Sequence, residues 1–178
     1  LPKNGTILRV RGKKNTYLVQ NGVLKLFSSF TLKQQAAEKH IDFISADELA
    51  RYPTSGYVAQ LDGTLVKSTS SSTLYVVQNG QKRPLNRALF LNLKYKRNQI
   101  VSLKNAEIEA MPTGRFALPR EGTYFTVTQT KQLYLFKNGT THKVPEAVAK
   151  KRNIKVHYKF DEQVVKDWAE GEPHPPGD

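Results

Sequence analysis

Three short apolar runs are each followed at once by Asn-Gly: YLVQ from Tyr17, YVVQ from Tyr75 and YLFK from Tyr134. An Asn-Gly pair between apolar runs predicts a two-residue hairpin, because a type I′ turn needs positive φ at both central residues and these two types tolerate it best. The turns fall at Asn21-Gly22, Asn79-Gly80 and Asn138-Gly139. The spacing pairs Leu18 with Lys25, Val76 with Arg83 and Leu135 with His142. Alternation then sends Tyr17, Tyr75 and Tyr134 to one face with Val19, Val77 and Phe136, an expected core contact, and the basic residues to the other, expected to face solvent.

The hairpins belong to a longer repeat. Gly5-Thr6, Gly63-Thr64 and Gly122-Thr123 each stand twelve residues before one of the three Tyr, and successive copies are 58 and 59 residues apart. Each copy opens with a short strand, at 6–10, 64–67 and 123–127. A polar loop leads to the hairpin, and the STSSST tract at 68–73 is its second copy rather than a linker. Helix starts follow: Ser28 or Ser29 before 30–39, Asn86 before 87–93, and Pro145 opening 146–152. Short apolar stretches at 43–44, 100–103 and 156–160 lead to second helices. Ser45 and Glu48 have capping-box spacing, and Pro53 and Pro112 close the second helices of the first two copies.

The predicted fold is α+β: three tandem repeats at 1–59, 60–118 and 119–171, each a β-hairpin with three short strands followed by two short helices. Residues 172–178 form a Pro-rich tail. One unit of this length has little core, so the units are expected to pack side by side.

Composition adds a strong basic balance. The 178 residues carry 28 Lys and Arg against 15 Asp and Glu, a formal charge of +13. By repeat the basic and acidic counts are nine and four, nine and three, and ten and eight, so the excess sits in the first two. Such charge predicts an anionic partner. The candidate binding residues are Lys25, Arg83 and His142, which recur at one hairpin position, together with Lys67, Lys82, Lys94, Lys96 and Arg97. The bland alternative is a solvated sheet face, and cations near helix ends that complement the macrodipole.

Other chemistry is thinly represented. There is no Cys, no Gly-rich phosphate loop and no HExxH, and the four His lack metal-ligand spacing. The expectation is therefore no enzyme, no metal and no cofactor. The absence of Cys leaves the compartment open. No apolar run is long enough to insert in a membrane, and the start at Leu1 reads as an excised or processed piece. Nucleic acid is the second candidate partner, permitted by the charge but without any recognition motif. A structural spacer or assembly unit is the third reading.

The pattern GTLVKSTSSSTLYVVQNGQKRPL followed by IVSLKNAEIEAMPTG resembles tandem repeats of about this length in secreted and cell-surface proteins of Gram-positive and candidate-phylum bacteria. ISADELARYPTSG carries the likeness in the first copy, and it weakens late in the third. The resemblance implies an extracellular or cell-surface, non-catalytic module of cell wall or adhesion type, sometimes beside a hydrolase or peptidase domain. It brings no assigned binding residues.

Overall fold

A computed structural model describes residues 2–173; of the Pro-rich tail expected at 172–178, residues 174–178 lie outside them. Unit one contains β1 (Ile7–Val10), β2 (Thr16–Gln20), β3 (Val23–Leu26), α1 (Ser29–Ala36), β4 (Asp42–Ile44), α2 (Ala46–Leu49) and β5 (Thr54–Tyr57). Unit two contains β6 (Leu65–Ser68), β7 (Leu74–Gln78), β8 (Gln81–Leu85), α3 (Arg87–Asn92), a 3-10 turn (Arg97–Gln99), β9 (Ile100–Leu103) and α4 (Asn105–Glu109). Unit three contains β10 (Thr123–Val127), β11 (Leu133–Lys137), β12 (Thr140–Lys143), α5 (Glu146–Lys151), β13 (Tyr158–Phe160) and α6 (Glu162–Val165). Among the described residues thirteen strands thus form three sheets, ordered β4-β1-β2-β3-β5, β9-β6-β7-β8 and β13-β10-β11-β12.

The turns form as their residues dictate. Asn21, Asn79 and Asn138 have φ of 53°, 52° and 53°, and the glycine after each is also positive. The register pairs Leu18 with Lys25, Val76 with Arg83 and Leu135 with His142. Each turn is also tied to the start of its unit. The Asn21 amide donates to Asn4 Oδ1 at 2.7 Å, Asn79 to Asp62 Oδ2 at 3.0 Å, and Asn138 to Glu121 Oε2 at 2.7 Å. A side-chain acceptor one residue before the opening glycine is therefore a third element of the repeat.

Caps decide the helix starts. Ser28, not Ser29, caps α1 in a reciprocal box with Thr31, and Asn86 Oδ1 accepts from Leu89 N at 2.8 Å. Ser45 accepts from Glu48 N at 3.1 Å. Helix α1 ends at Ala36, short of the expected residue 39, and the last short strand begins at Tyr158 rather than Val156.

Two features were not expected. The segment after each second helix returns alongside the third strand in parallel, as β5 on β3 and as single bridges Lys82–Thr113 and Thr141–Glu170. Both faces of each sheet are also covered. In unit one, Tyr17, Leu8, Val19 and Leu24 pack with Leu49 and Tyr52 on the α2 side. Ile7 and Leu18 pack with Phe27, Leu32 and Ala36 on the α1 side. The face assigned to solvent is thus a second packing face, and Lys25, Arg83 and His142 on it are half-buried.

The units join through first helices. Phe30 of α1 packs against the Val66–Val77–Leu103 cluster of unit two. Leu89 of α3 shares the largest core cluster with Phe125, Phe136, Phe160 and Trp168 of unit three. An amide clamps each joint. Gln34 accepts from Leu61 N at 3.2 Å and donates to Thr64 Oγ1 at 3.1 Å. Asn92 accepts from Arg120 N at 2.8 Å and donates to Thr123 Oγ1 at 3.0 Å. The Thr of the Gly-Thr signature is the shared acceptor in both.

Candidate functional site

A cavity of about 980 Å³ lies on the α3 side of unit two. Its cations come from three elements. Lys67 stands on β6, directly across from Ser102 of β9 in the parallel register. Arg87 is the first residue of α3, set there by the Asn86 cap. Arg97 opens the 3-10 turn: Lys94 ends α3 at a φ of 58°, Tyr95 N bonds Phe90 O at 3.2 Å, and Gln99 Oε1 holds Lys96 N at 2.7 Å. These bonds carry the chain back to the cavity mouth.

The remaining wall is hydroxyl-rich on one side and apolar beneath. Ser72, Thr73 and Ser102 line it with Asn86, and Leu74, Leu85, Phe90 and Ile100 form the floor. The Ser72–Thr73 wall is ordered: Ser68 and Ser70 hydroxyls meet Asn105 Oδ1, and Thr73 N bonds Ser71 Oγ at 3.2 Å. Tyr95 packs behind Phe90 with ring centroids 6.1 Å apart, and burial pushes its phenol above the ordinary range.

No carboxylate lines this cavity. Among the described residues the ion pairs are His40–Asp42, Lys143–Glu170 and Lys150–Glu146, so Lys67, Arg87 and Arg97 are left uncompensated. Three like charges around one concavity sum their potentials and raise the local concentration of anions. The rim is solvated, so the field is screened within about 10 Å at 0.1 M salt.

The arrangement belongs to unit two alone. At the position of Lys67, unit one has Arg9 and unit three has Thr126; opposite them, where unit two has Ser102, stand Phe43 and Lys159. After the helix cap, Arg87 is matched by Ser29 and by Glu146. In unit one Phe43 lies under Arg11, with the guanidinium 5.5 Å from the ring centroid. In unit three Glu146 is paired with Lys150 at 2.6 Å, and that contact holds its carboxyl below the usual carboxylate range. A feature absent from two of three copies is not demanded by the repeat fold.

Of the candidate residues read from sequence, Lys67 and Arg97 enter this cavity. Lys94 and Lys96 are exposed beside it on the turn. Lys82 does not serve as a free cation: it is 7% exposed, and its Nζ donates to Ile108 O at 2.8 Å and Met111 O at 2.7 Å, closing the end of α4. Lys25, Arg83 and His142 are not brought to the cavity. Their recurrence has a packing reason, since each lies against a glycine of its unit's closing segment: Gly56, Gly114 and Gly171. His142 Nδ1 donates to Glu172 O at 2.6 Å. Arg83 lines a groove between units two and three that also holds Arg115 and a carboxylate, Asp167. The three Tyr are half-buried on the second-helix face.

Arg87, Asn86 and Ser102 were missed. Comparing the copies position by position would have found Arg87, because no other copy has a cation after its cap. Among the described residues, no helix is long and apolar enough to cross a membrane.

The sequence matches no family model and no curated protein. Among solved structures it aligns with a chain of an intact ESX-5 inner membrane complex (composite C3 model) at 12% identity and a TM-score of 0.29, covering 98% of this chain and 52% of that one. It aligns similarly with a chain of the periplasmic assembly from the ESX-5 inner membrane complex (C1 model), at 13% identity and a TM-score of 0.28, over 96% and 61%. The chain thus spans about half to three fifths of these proteins' length, and at such scores the likeness carries no argument about fold or function.

Proposed function

We propose that the protein is a non-catalytic module of the bacterial cell surface that holds anionic envelope polymers, with unit two as its binding unit. The observation that carries this reading is the cavity in which Lys67, Arg87 and Arg97 meet without a carboxylate. The resemblance to surface-protein repeats and the net charge of +13 support it. Units one and three flank unit two and pack against its two faces, which fixes the backbone that carries the cations. Rigidity lowers the ordering cost of binding.

Cosedimentation with purified teichoic acid across a salt series tests the reading. Binding should weaken steeply as salt rises, and Arg87→Glu should abolish most of it at low salt. Absent or salt-indifferent binding would refute the proposal. Equal affinity for a random DNA duplex that Arg87→Glu leaves unchanged would instead assign the charge to general nucleic-acid attraction.

A further inference from the structure

We infer that the unit-two cavity accepts an amphiphilic anion, a phosphate-type headgroup carrying a hydrocarbon chain, so that the module grips the lipid-linked end of an envelope polymer rather than its repeating stretch. The inference rests on the anion-binding reading and adds the chemistry of the other half of the ligand.

The cavity is built in two parts. Lys67, Arg87 and Arg97 supply charge, and Ser72, Thr73 and Ser102 supply hydroxyls suited to phosphate oxygens. Leu74, Leu85, Phe90 and Ile100 supply a floor that a hydrated polyanion would leave wet. Leu91 extends this apolar surface to the lip, where it is 55% exposed, the most exposed of four exposed large hydrophobic side chains among the described residues. An exposed apolar side chain beside a cationic rim is costly to hydrate and gains from a hydrocarbon partner. The volume suits a ligand of that size.

Unit one differs at the same edge of the sheet. There the residue equivalent to Ser102 is Phe43, a half-exposed ring beneath the guanidinium of Arg11, whose counterpart in unit two is Thr69. Unit two has the small Ser102 in place of that ring, which leaves room beside Lys67.

The test is isothermal titration of the full chain with dihexanoyl phosphatidic acid below its micelle threshold, and in parallel with glycerol 3-phosphate, which has no chains. The lipid should bind at least about tenfold tighter. Leu91→Ser and Ser102→Phe, both at exposed positions, should each remove most of that difference; Ser102→Phe restores the unit-one residue. Vesicles of neutral phosphatidylcholine should not bind, and binding to them would overturn the proposal in favour of nonspecific lipid adsorption. If headgroup and lipid bind equally, or if neither variant weakens the lipid, the amphiphile inference falls and the anion reading stands. If neither compound binds at low salt while teichoic acid also fails, both fall.

Discussion

The joint between units two and three depends on one side chain, and its removal has a calculable cost. Asn92 is 2% exposed; its Oδ1 accepts from Arg120 N at 2.8 Å and its Nδ2 donates to Thr123 Oγ1 at 3.0 Å. Asn92→Ala removes both bonds from a joint in which Asn92 and Thr123 are buried, and a buried polar group left unpaired costs about 1–3 kcal/mol. The expected loss is about 2 kcal/mol, or roughly 4–8 °C in Tm for a chain of this size. Gln34→Ala is the internal control, since it removes the same two bonds at the joint of units one and two. There the bonds are longer, at 3.2 and 3.1 Å, and Gln34 and Thr64 are only half-buried, so water replaces them. It should cost about 0.5–1 kcal/mol. Urea unfolding measures both, and hydrogen exchange at the Arg120 amide reports the loss of its bond directly. Equal costs for the two variants, or unchanged protection at Arg120, would refute the clamp argument.

Further outcomes follow from the same packing. Trp168 meets Phe125, Phe160 and Phe136 edge-on at 5.6, 5.2 and 6.1 Å, and Trp168→Ala should cost about 3–5 kcal/mol in denaturant unfolding. Gly171→Ala would place a Cβ 2.6 Å from His142 Cε1, on a ring held by Glu172 O, whereas in Gly114→Ala the obstruction at 2.6 Å is the free end of Gln81. Calorimetry should therefore show the first lowering Tm clearly and the second barely, and the reverse order would contradict this packing. The Lys150 partner lowers the Glu146 pKa, so the pair's contribution is present above the ordinary carboxylate range and is lost as pH falls through the lowered value. Carboxyl NMR titration should find Glu146 below its usual range and restored by Lys150→Ala.

The hairpins were legible because their information is local. Asn-Gly sets the turn, the turn sets the register, and period-two alternation then assigns every side chain to a face, which is why Leu18, Val76 and Leu135 meet the partners their spacing predicts. Ser28, Ser45 and Asn86 were readable as caps for the same reason: a side chain reaching an amide three residues on needs no tertiary partner.

What covers each face was decided elsewhere. Strand β5 and the bridges at Thr113 and Glu170 are segments too short to declare themselves, and they pair only because the second helix returns the chain to the third strand. That return places a glycine beneath Lys25, Arg83 and His142 and turns an expected solvent face into a packed one. Lys82 reads as a surface cation until α4 brings the Ile108 and Met111 carbonyls to its ammonium. The cavity likewise joins Lys67, Arg87, Arg97 and Ser102, which come from four elements. One sequence thus determines its turns, caps and threefold repeat by contacts a few residues long. Burial and charge convergence depend on segments tens of residues apart, whose meeting is fixed by the packing of all three units together.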